Sequence, residues 1–149
     1  MCNPLVEAVN EEMARLGIHD AKLVDESYEP SDFGNAVAVY ELGNLRLRFV
    51  RDRGRDTIDF VLPGSSGDYY IFSDLATVMG WETLEELVKK YKSANANAPP
   101  AGPISLNRAI RYIQQDLDRL QQMFLASEIA TTRVKLRNAE RQRMEAMFG

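Results

Sequence analysis

Apolar and polar residues alternate along the middle of the chain. The pattern is clearest over residues 44–52, where Leu45, Leu47 and Phe49 alternate with Arg46 and Arg48. A period of two places the apolar side chains on one face of a strand and the charged ones on the other, which is typical of an antiparallel sheet with one buried face. Segments bounded by Gly, Pro, Asn or Asp and rich in β-branched or aromatic residues predict strands over residues 21–30, 35–42, 44–52 and 55–64, with a short fifth strand at 69–72.

Turn residues separate these strands. Gly43-Asn44 and Arg53-Gly54 fall where tight hairpins would join neighbouring strands, so the simplest topology is a meander. The glycine- and serine-rich segment at 63–68 superficially resembles a phosphate-binding loop. It lacks the Gly-Lys-Ser/Thr ending that gives such a loop its charge and metal ligand, and we interpret it as a connector.

A second period, of three to four residues, predicts a helix near the N-terminus. Asn3 is placed to cap this helix, with Pro4 at its first position and Gly17 at its end. Its apolar stripe consists of Leu5, Val9, Met13 and Leu16.

Two short helices are predicted after the last strand. Ser73 is expected to cap the first, over residues 74–79, and Gly80 to end it. Thr83 and Glu86 form a capping box that opens the second, over residues 84–91. Trp81, the only tryptophan, precedes the second helix, and we expect it to be mostly buried against that helix.

The last third of the chain has a different character. Residues 93–103 carry no charge and several prolines, which is typical of a linker. Apolar residues then follow alternating spacings of four and three, a heptad stripe. Its members are Leu106, Ile110, Ile113, Leu117, Leu120 and Phe124. The stripe later slips by one residue, which a bend, a turn near Ser127 or a long helix that changes partners would each produce.

These patterns predict an α+β fold with an N-terminal helix, an antiparallel meander of four to five strands, short helices and a C-terminal helical extension. The predicted units are an α+β domain at 1–92, a linker at 93–103 and a helical extension at 104–149, built as a helical hairpin or a long helix. Because the domain already has helices to cover its sheet, we expect the stripe to pair with the second half of the extension or, preferably, with another subunit.

The distribution of charged residues also changes between residues 92 and 93. The net charge is −4, but residues 1–92 carry 10 basic and 17 acidic side chains, whereas residues 93–149 carry 8 basic and 5 acidic ones. An acidic body disfavours nucleic acid, because such binding rests on Lys and Arg neutralising phosphates. It suits a basic protein partner instead.

The cysteine content and the hydropathy of the chain indicate its cellular compartment. Cys2 is the only cysteine, so an internal disulfide is excluded and a reducing compartment is favoured. Acidic residues stand in the N-terminal segment where a secretory signal would need a positive start and an apolar run. No stretch approaches the ~20 apolar residues of a membrane helix. We therefore expect a cytoplasmic protein.

Groups for catalysis or metal binding are sparse. His19 is the only histidine, which excludes two-histidine metal sites within one chain, and no nucleophile elbow accompanies it. Asp52, Asp56 and Asp59 could form a divalent-metal cluster, but arginines interleave with them, so we interpret them as ion-paired strand ends. We expect no catalytic, cofactor or metal site and no enzyme activity; an enzyme built on these aspartates is the least favoured alternative.

One part of the chain resembles known proteins. The hairpin LRLRFVRDRGRDTIDF, a short aromatic strand and the helix openings SDLATVMGW and TLEELVK are similar to small bacterial proteins, some encoded beside polymorphic toxins or contact-dependent inhibition systems and taken to be immunity proteins. The resemblance covers roughly residues 35–90. It implies a protein that acts by binding, and it carries over no catalytic residue.

Two functional hypotheses follow. The first is a non-catalytic binding protein, an immunity-like inhibitor that occludes a basic toxin. Its candidate partner-binding residues are Asp52, Asp56, Asp59 and Asp68, with Tyr69 and Tyr70 as aromatic anchors. The alternative is a structural or adaptor protein that forms a homodimer, or docks on a larger assembly, through the heptad helix from Leu106 to Phe124.

Overall fold

The predicted α+β architecture is confirmed. The computed structural model describes residues 2–62, 69–93 and 104–148. The elements, in chain order, are α1 (Pro4–Arg15), β1 (Lys22–Glu29), β2 (Asn35–Leu42), β3 (Leu45–Asp52), β4 (Arg55–Val61), β5 (Tyr69–Ile71), α2 (Phe72–Met79), α3 (Leu84–Ser93), α4 (Leu106–Gln115), α5 (Leu117–Met123) and α6 (Ile129–Phe148).

The five strands form one antiparallel sheet in sequence order, β1-β2-β3-β4-β5, so the meander is confirmed. The register places Tyr40, Leu47, Phe60 and Tyr70 in one row across four strands. β1 departs from regular pairing at Val24, where a bulge separates Leu23 from Asp25. As the first strand of the order, β1 is one edge of the sheet.

Local signals define α1 as predicted. The side chain of Asn3 accepts hydrogen bonds from the backbone N–H groups of Leu5 and Val6, and Pro4 opens the helix. The amide of the same Asn3 donates to the carbonyl oxygen of Ser27 at 2.9 Å, which ties the start of α1 to β1. Gly17 follows the helix with a φ of 78°.

The expected capping role of Ser73 is wrong. The chain passes directly from β5 into α2, so the helix begins at Phe72 with Ile71 in the N-cap position and no side-chain cap. Ser73 is buried instead, with its hydroxyl oxygen 3.0 Å from that of Tyr91. Gly80 ends α2 in the left-handed conformation, as predicted.

Thr83 caps α3 as predicted, but Glu86 accepts a hydrogen bond from the Thr83 hydroxyl in place of the backbone N–H that a capping box uses. The backbone N–H of Glu86 donates to the Thr83 hydroxyl at 3.1 Å, and this hydroxyl donates to the Glu86 carboxylate at 2.9 Å.

The helices α1, α2 and α4 pack on one face of the sheet. α1 lies against β2 and β3, and α2 and α4 lie against β4. Apolar residues from these helices and from alternate positions of β2, β3 and β4 form a single hydrophobic cluster. This cluster also contains residues of the C-terminal extension, including Ile110, Phe124 and Leu136.

The expected partner of the heptad stripe is therefore corrected. Leu106, Ile110, Ile113, Leu120 and Phe124 are buried in the same cluster as the sheet, and Leu117 is half-buried against it. The Phe124 ring meets the Phe60 ring of β4 edge-on, with 6.0 Å between ring centroids. The sequence pattern predicted that this stripe would pair with another subunit or with the second half of the extension. The stripe instead covers the sheet, because α1 leaves the β4 side of the sheet open.

The slip in the stripe is a turn, one of the three predicted alternatives. α5 ends at Met123, and residues 124–128, which include Ser127, turn the chain into α6. α6 then packs on α2 and α3. The predicted linker falls almost entirely on residues 94–103, outside the described residues, and the division into units at 1–92 and 104–149 stays a prediction. No helix in the described part of the chain is long and apolar enough to cross a membrane.

Candidate functional site

The aspartates of the β3–β4 hairpin are paired with arginines, as the sequence predicts. Arg51 donates to both carboxylate oxygens of Asp56, at 2.8 and 3.0 Å, and Arg48 donates to Asp59 at 2.5 Å. The hydrogen bond from Arg51 to Asp56 raises the pKa of that guanidinium. Because Asp56 and Asp59 already have counter-ions, they have little charge left to attract a partner. Over residues 2–62, 69–93 and 104–148, no group of His, Cys, Asp and Glu side chains could hold a metal ion.

Asp52 differs from its two neighbours. Its side chain is 66% exposed, and the nearest guanidinium nitrogen, on Arg53, lies 3.9 Å away. Such a long, solvent-exposed pair contributes little stability and is readily exchanged for another cation. Asp52 is therefore the one hairpin candidate that remains available to a partner. Asp68, the fourth predicted carboxylate, lies outside the described residues.

The two predicted aromatic anchors lie on opposite faces of the sheet. Tyr70 faces the helices and stacks on Phe60, with 5.9 Å between ring centroids. Tyr69 is 40% exposed, and the guanidinium of Arg48 lies 3.7 Å from the centre of its ring. Tyr69 is the more exposed of the two.

We call the face of the sheet opposite the core cluster the open face. Strand alternation places five aliphatic side chains there, and none of them belongs to the core cluster. They are Val37, Val39, Val50, Val61 and Ile71. Arg46, Arg48, Asp59 and Tyr69 share this face with them. The open face thus combines a small apolar floor with charged and aromatic side chains.

The unpaired acidic charge lies on β1 and the loops at its ends. Six of the eight β1 residues are exposed. We define the acidic edge as Asp20, Asp25, Glu26, Glu29 and Asp32, all of them exposed. Among the described residues, none of these five forms an ion pair.

The acidic edge continues the charge of α1. Residues 1–32 contain eight carboxylates and two basic side chains, Arg15 and Lys22. Glu7 and Glu11 of α1 are exposed, whereas Glu12 is buried and paired with Arg15. The negative field that the composition indicates therefore has its source in the unpaired carboxylates of β1 and α1, and not in the ion-paired Asp56 and Asp59 that the sequence favoured.

Two carboxylates, those of Glu82 and Asp74, are buried and form ion pairs inside the protein. Glu82, whose side chain has no exposure, accepts a hydrogen bond from the Tyr112 hydroxyl at 3.1 Å and pairs with Lys90 and Arg108. Asp74 is bound by Arg143 of α6, whose Nε donates to it at 2.9 Å. These pairs attach the C-terminal helices to the body, which is a structural role.

Trp81 takes part in the same attachment. Its ring lies between Phe72 and Tyr112, with centroid distances of 5.8 and 5.1 Å, and it is partly buried against the core. Its indole N–H donates to Asp116 at 2.5 Å. The stack joins the α2–α3 region to α4.

Sequence reasoning missed the β1 edge as a candidate surface. The sequence pattern drew attention to the arginine-rich hairpin, where acidic and basic residues alternate and their charges offset each other. A usable signal was present, because residues 20–32 carry five carboxylates and a single lysine. Comparison of the chain with models of protein families, with curated proteins and with solved structures found no match.

Proposed function

We propose that this protein is a non-catalytic protein-binding module that docks a basic partner along the acidic edge, most concretely an immunity-like inhibitor that occludes a basic toxin. The observation that carries the proposal is the exposed edge strand β1, whose carboxylates have no counter-ions among the described residues.

The backbone of β1 supports strand addition as the mode of docking. β1 is eight residues long and pairs with β2 on one side only. An edge strand presents a row of unpaired N–H and C=O groups on its other side, and an extended segment can bind there by adding a strand. The main-chain hydrogen bonds supply affinity, and alternate side chains supply specificity.

Charge selects the partner. Carboxylates on both faces of β1, Asp25 on one and Glu26 on the other, disfavour pairing with a second copy of the same edge. They favour a segment that carries lysines or arginines, and they raise the rate of encounter with a basic protein. Docking of this kind weakens as salt increases, because exposed charges are screened.

Strand addition can be tested with a short peptide of alternating lysine and valine. We expect it to bind and to slow the hydrogen exchange of alternate β1 amides, whose N–H groups point away from β2. An equivalent peptide of glutamate and valine is expected not to bind. Exchange measured by NMR would contradict the proposal if the lysine peptide bound without protecting β1.

Charge-reversal variants test the role of the carboxylates. Asp25→Lys combined with Glu29→Lys should weaken peptide binding at least about tenfold. The control variant combines Glu85→Lys and Glu145→Lys, which changes the net charge equally at two exposed positions on α3 and α6. If both variants weakened binding equally, net charge alone would explain the effect, and this result would contradict a defined site on the edge.

The inhibitor role needs a protein partner. We expect the product of the neighbouring gene, if it is a basic toxin, to be retained by the wild-type protein at low salt. The β1 charge-reversal variant should lose this retention, whereas the control variant should keep it. Retention by both variants would place the toxin interface elsewhere.

A further inference from the structure

The free side of β1 has identifiable backbone donors. Beyond its bulge, β1 pairs with β2 in regular register from Asp25 to Glu29. The backbone N–H of Glu26 donates to the carboxylate of Asp25 at 2.9 Å, so it points away from β2. Since N–H directions alternate along a strand, the N–H of Tyr28 points away from β2 as well. A strand added beside β1 would accept hydrogen bonds from these two groups.

The side chains of Glu26 and Tyr28 point to the face of the sheet on which the helices pack. They lie opposite Ala38 and Ala36 of β2, which both belong to the core cluster. Tyr28 is partly buried against this cluster, whereas Glu26 is exposed and forms no ion pair with the described residues. The core therefore ends at β1 with an aromatic ring that is only half covered and with an unpaired carboxylate beside it.

The cations around this stretch of β1 are matched or lie on the other face. Residues 1–32 contain two basic side chains, Arg15 and Lys22. Arg15 is paired within α1, and Lys22 lies on the open face, before the bulge. Across β2, the row of Tyr28 continues to Arg51, which is bound to Asp56 through two hydrogen bonds. The charge that a neighbouring strand would meet here is therefore negative.

We infer that the docking segment is an antiparallel strand with a fixed order of side chains, apolar opposite Tyr28 and basic opposite both Glu26 and Asp25. Tyrosine favours β-branched and aromatic residues directly across from it, and a carboxylate favours lysine or arginine. Adjacent strands are about 5 Å apart, so each of these contacts is made to the neighbouring strand alone. Antiparallel is the direction of every strand pair in this sheet. From its N-terminus, the segment thus reads apolar, any residue, basic, basic.

The basic residue opposite Asp25 has a second role. In the free protein, the carboxylate of Asp25 occupies the N–H of Glu26, so a carbonyl group of the added strand must displace it. A lysine or arginine opposite Asp25 gives the displaced carboxylate a charged donor. A neutral residue at that position gives it none. The inference rests on the proposed docking at β1 and specifies the sequence that docks there.

Two peptides of equal composition and charge test the order. Val-Thr-Lys-Lys, between identical glycine–serine flanks, matches β1 from Tyr28 back to Asp25, whereas Lys-Thr-Val-Lys exchanges the two side chains that face the helix side. We expect this exchange to weaken binding about fivefold, because it removes two cross-strand pairs. The matched peptide should also protect the N–H groups of Glu26 and Tyr28 from hydrogen exchange.

The same measurements separate this inference from the docking proposal. If the two peptides bind equally well while these N–H groups are protected, the order of side chains is refuted and strand addition holds. If neither peptide protects β1, the docking proposal itself fails.

A charge exchange tests the contact with Glu26. In Glu26→Lys, a peptide with Val-Thr-Glu-Lys should bind about fivefold more tightly than Val-Thr-Lys-Lys, the reverse of the wild-type preference. Asp20→Lys makes the same charge change at an exposed position of the acidic edge outside β1, and it should keep the wild-type preference. Reversal in both variants would show that net charge alone is responsible and would overturn the assignment.

Asp25→Ala tests the second basic position. The wild-type protein should prefer Val-Thr-Lys-Lys over Val-Thr-Lys-Val about fivefold, because only the former has a partner for the Asp25 carboxylate. Asp25→Ala should distinguish the two peptides by less than about twofold, as a double-mutant cycle detects. Asp20→Ala is the control and should retain the wild-type preference. If Asp25→Ala retains it as well, the role assigned to Asp25 is wrong.

Discussion

Tyr40 shows how one buried side chain responds to its surroundings. It is 2% exposed, and its hydroxyl donates to the side-chain oxygen of Asn10 at 2.7 Å. Burial, with a smaller contribution from Glu26, raises the pKa of Tyr40 from 10.0 to about 12. The folded state therefore retains this proton at a pH where the unfolded chain has released it.

Stability should fall in alkali for this reason. The contribution of the neutral Tyr40 phenol, about 2–3 kcal/mol for a shift of this size, is fully present below pH 10 and is lost as the pH rises toward about 12. Urea unfolding at increasing pH measures the loss. Tyr40→Phe should show a smaller alkaline decline, the remainder coming from Tyr91, whose pKa is also raised by burial. An equally steep decline in the variant would assign the effect to other groups.

At the scale of elements, one buried ion pair joins α2 to α6. Asp74 is 2% exposed, and burial raises the pKa of its carboxyl above the ordinary 3.8, while Arg143 opposes this shift. The arginine therefore keeps a buried carboxylate charged. Without it, the carboxylate would remain in the interior with no compensating charge.

Replacing Arg143 should lower the free energy of unfolding by an amount that depends on pH. We expect Arg143→Met to lose about 3 kcal/mol near neutral pH, where Asp74 must be ionised without its partner. The loss should shrink as the pH falls toward 3.8, because protonation relieves the buried charge. Urea unfolding at several pH values measures it. Arg141→Met, an exposed position on the same helix, is the control, and a pH-independent loss in Arg143→Met would contradict the explanation.

Several elements were predictable because their signals are local. The strands follow from alternation, and α1 and α3 follow from the capping residues Asn3 and Thr83. The start of α2 was not predictable in this way, because β5 passes straight into the helix and Ser73 is drawn into the interior by Tyr91. That contact joins residues from two helices and leaves no local pattern.

At the scale of the whole molecule, the C-terminal extension completes the core. Ile110 and Ile113 of α4 have no exposure, and they lie in the same cluster as the sheet residues Leu47 and Phe60. A core shared in this way predicts that the sheet and the extension unfold together.

A charged residue in the stripe tests this cooperativity. Ile113→Asp should destabilise the protein by at least about 3 kcal/mol, because it buries an unpaired carboxylate. Amides of the sheet and of the extension should lose hydrogen-exchange protection together. Gln114→Asp, exposed on the same helix, is the control. If residues 1–92 stay protected while the extension unfolds, the chain consists of two units after all.

The sequence by itself determined the elements that depend on neighbours along the chain: the meander, its turns, α1 with its caps, and the existence of a buried heptad stripe. It also showed that the hairpin aspartates have arginines within reach. Only the tertiary structure decided what the stripe covers, because spacing shows that a helix face is buried and not against which surface. It also decided where unpaired charge remains, since the pairing of Asp56 and the isolation of Glu29 depend on which strands are adjacent.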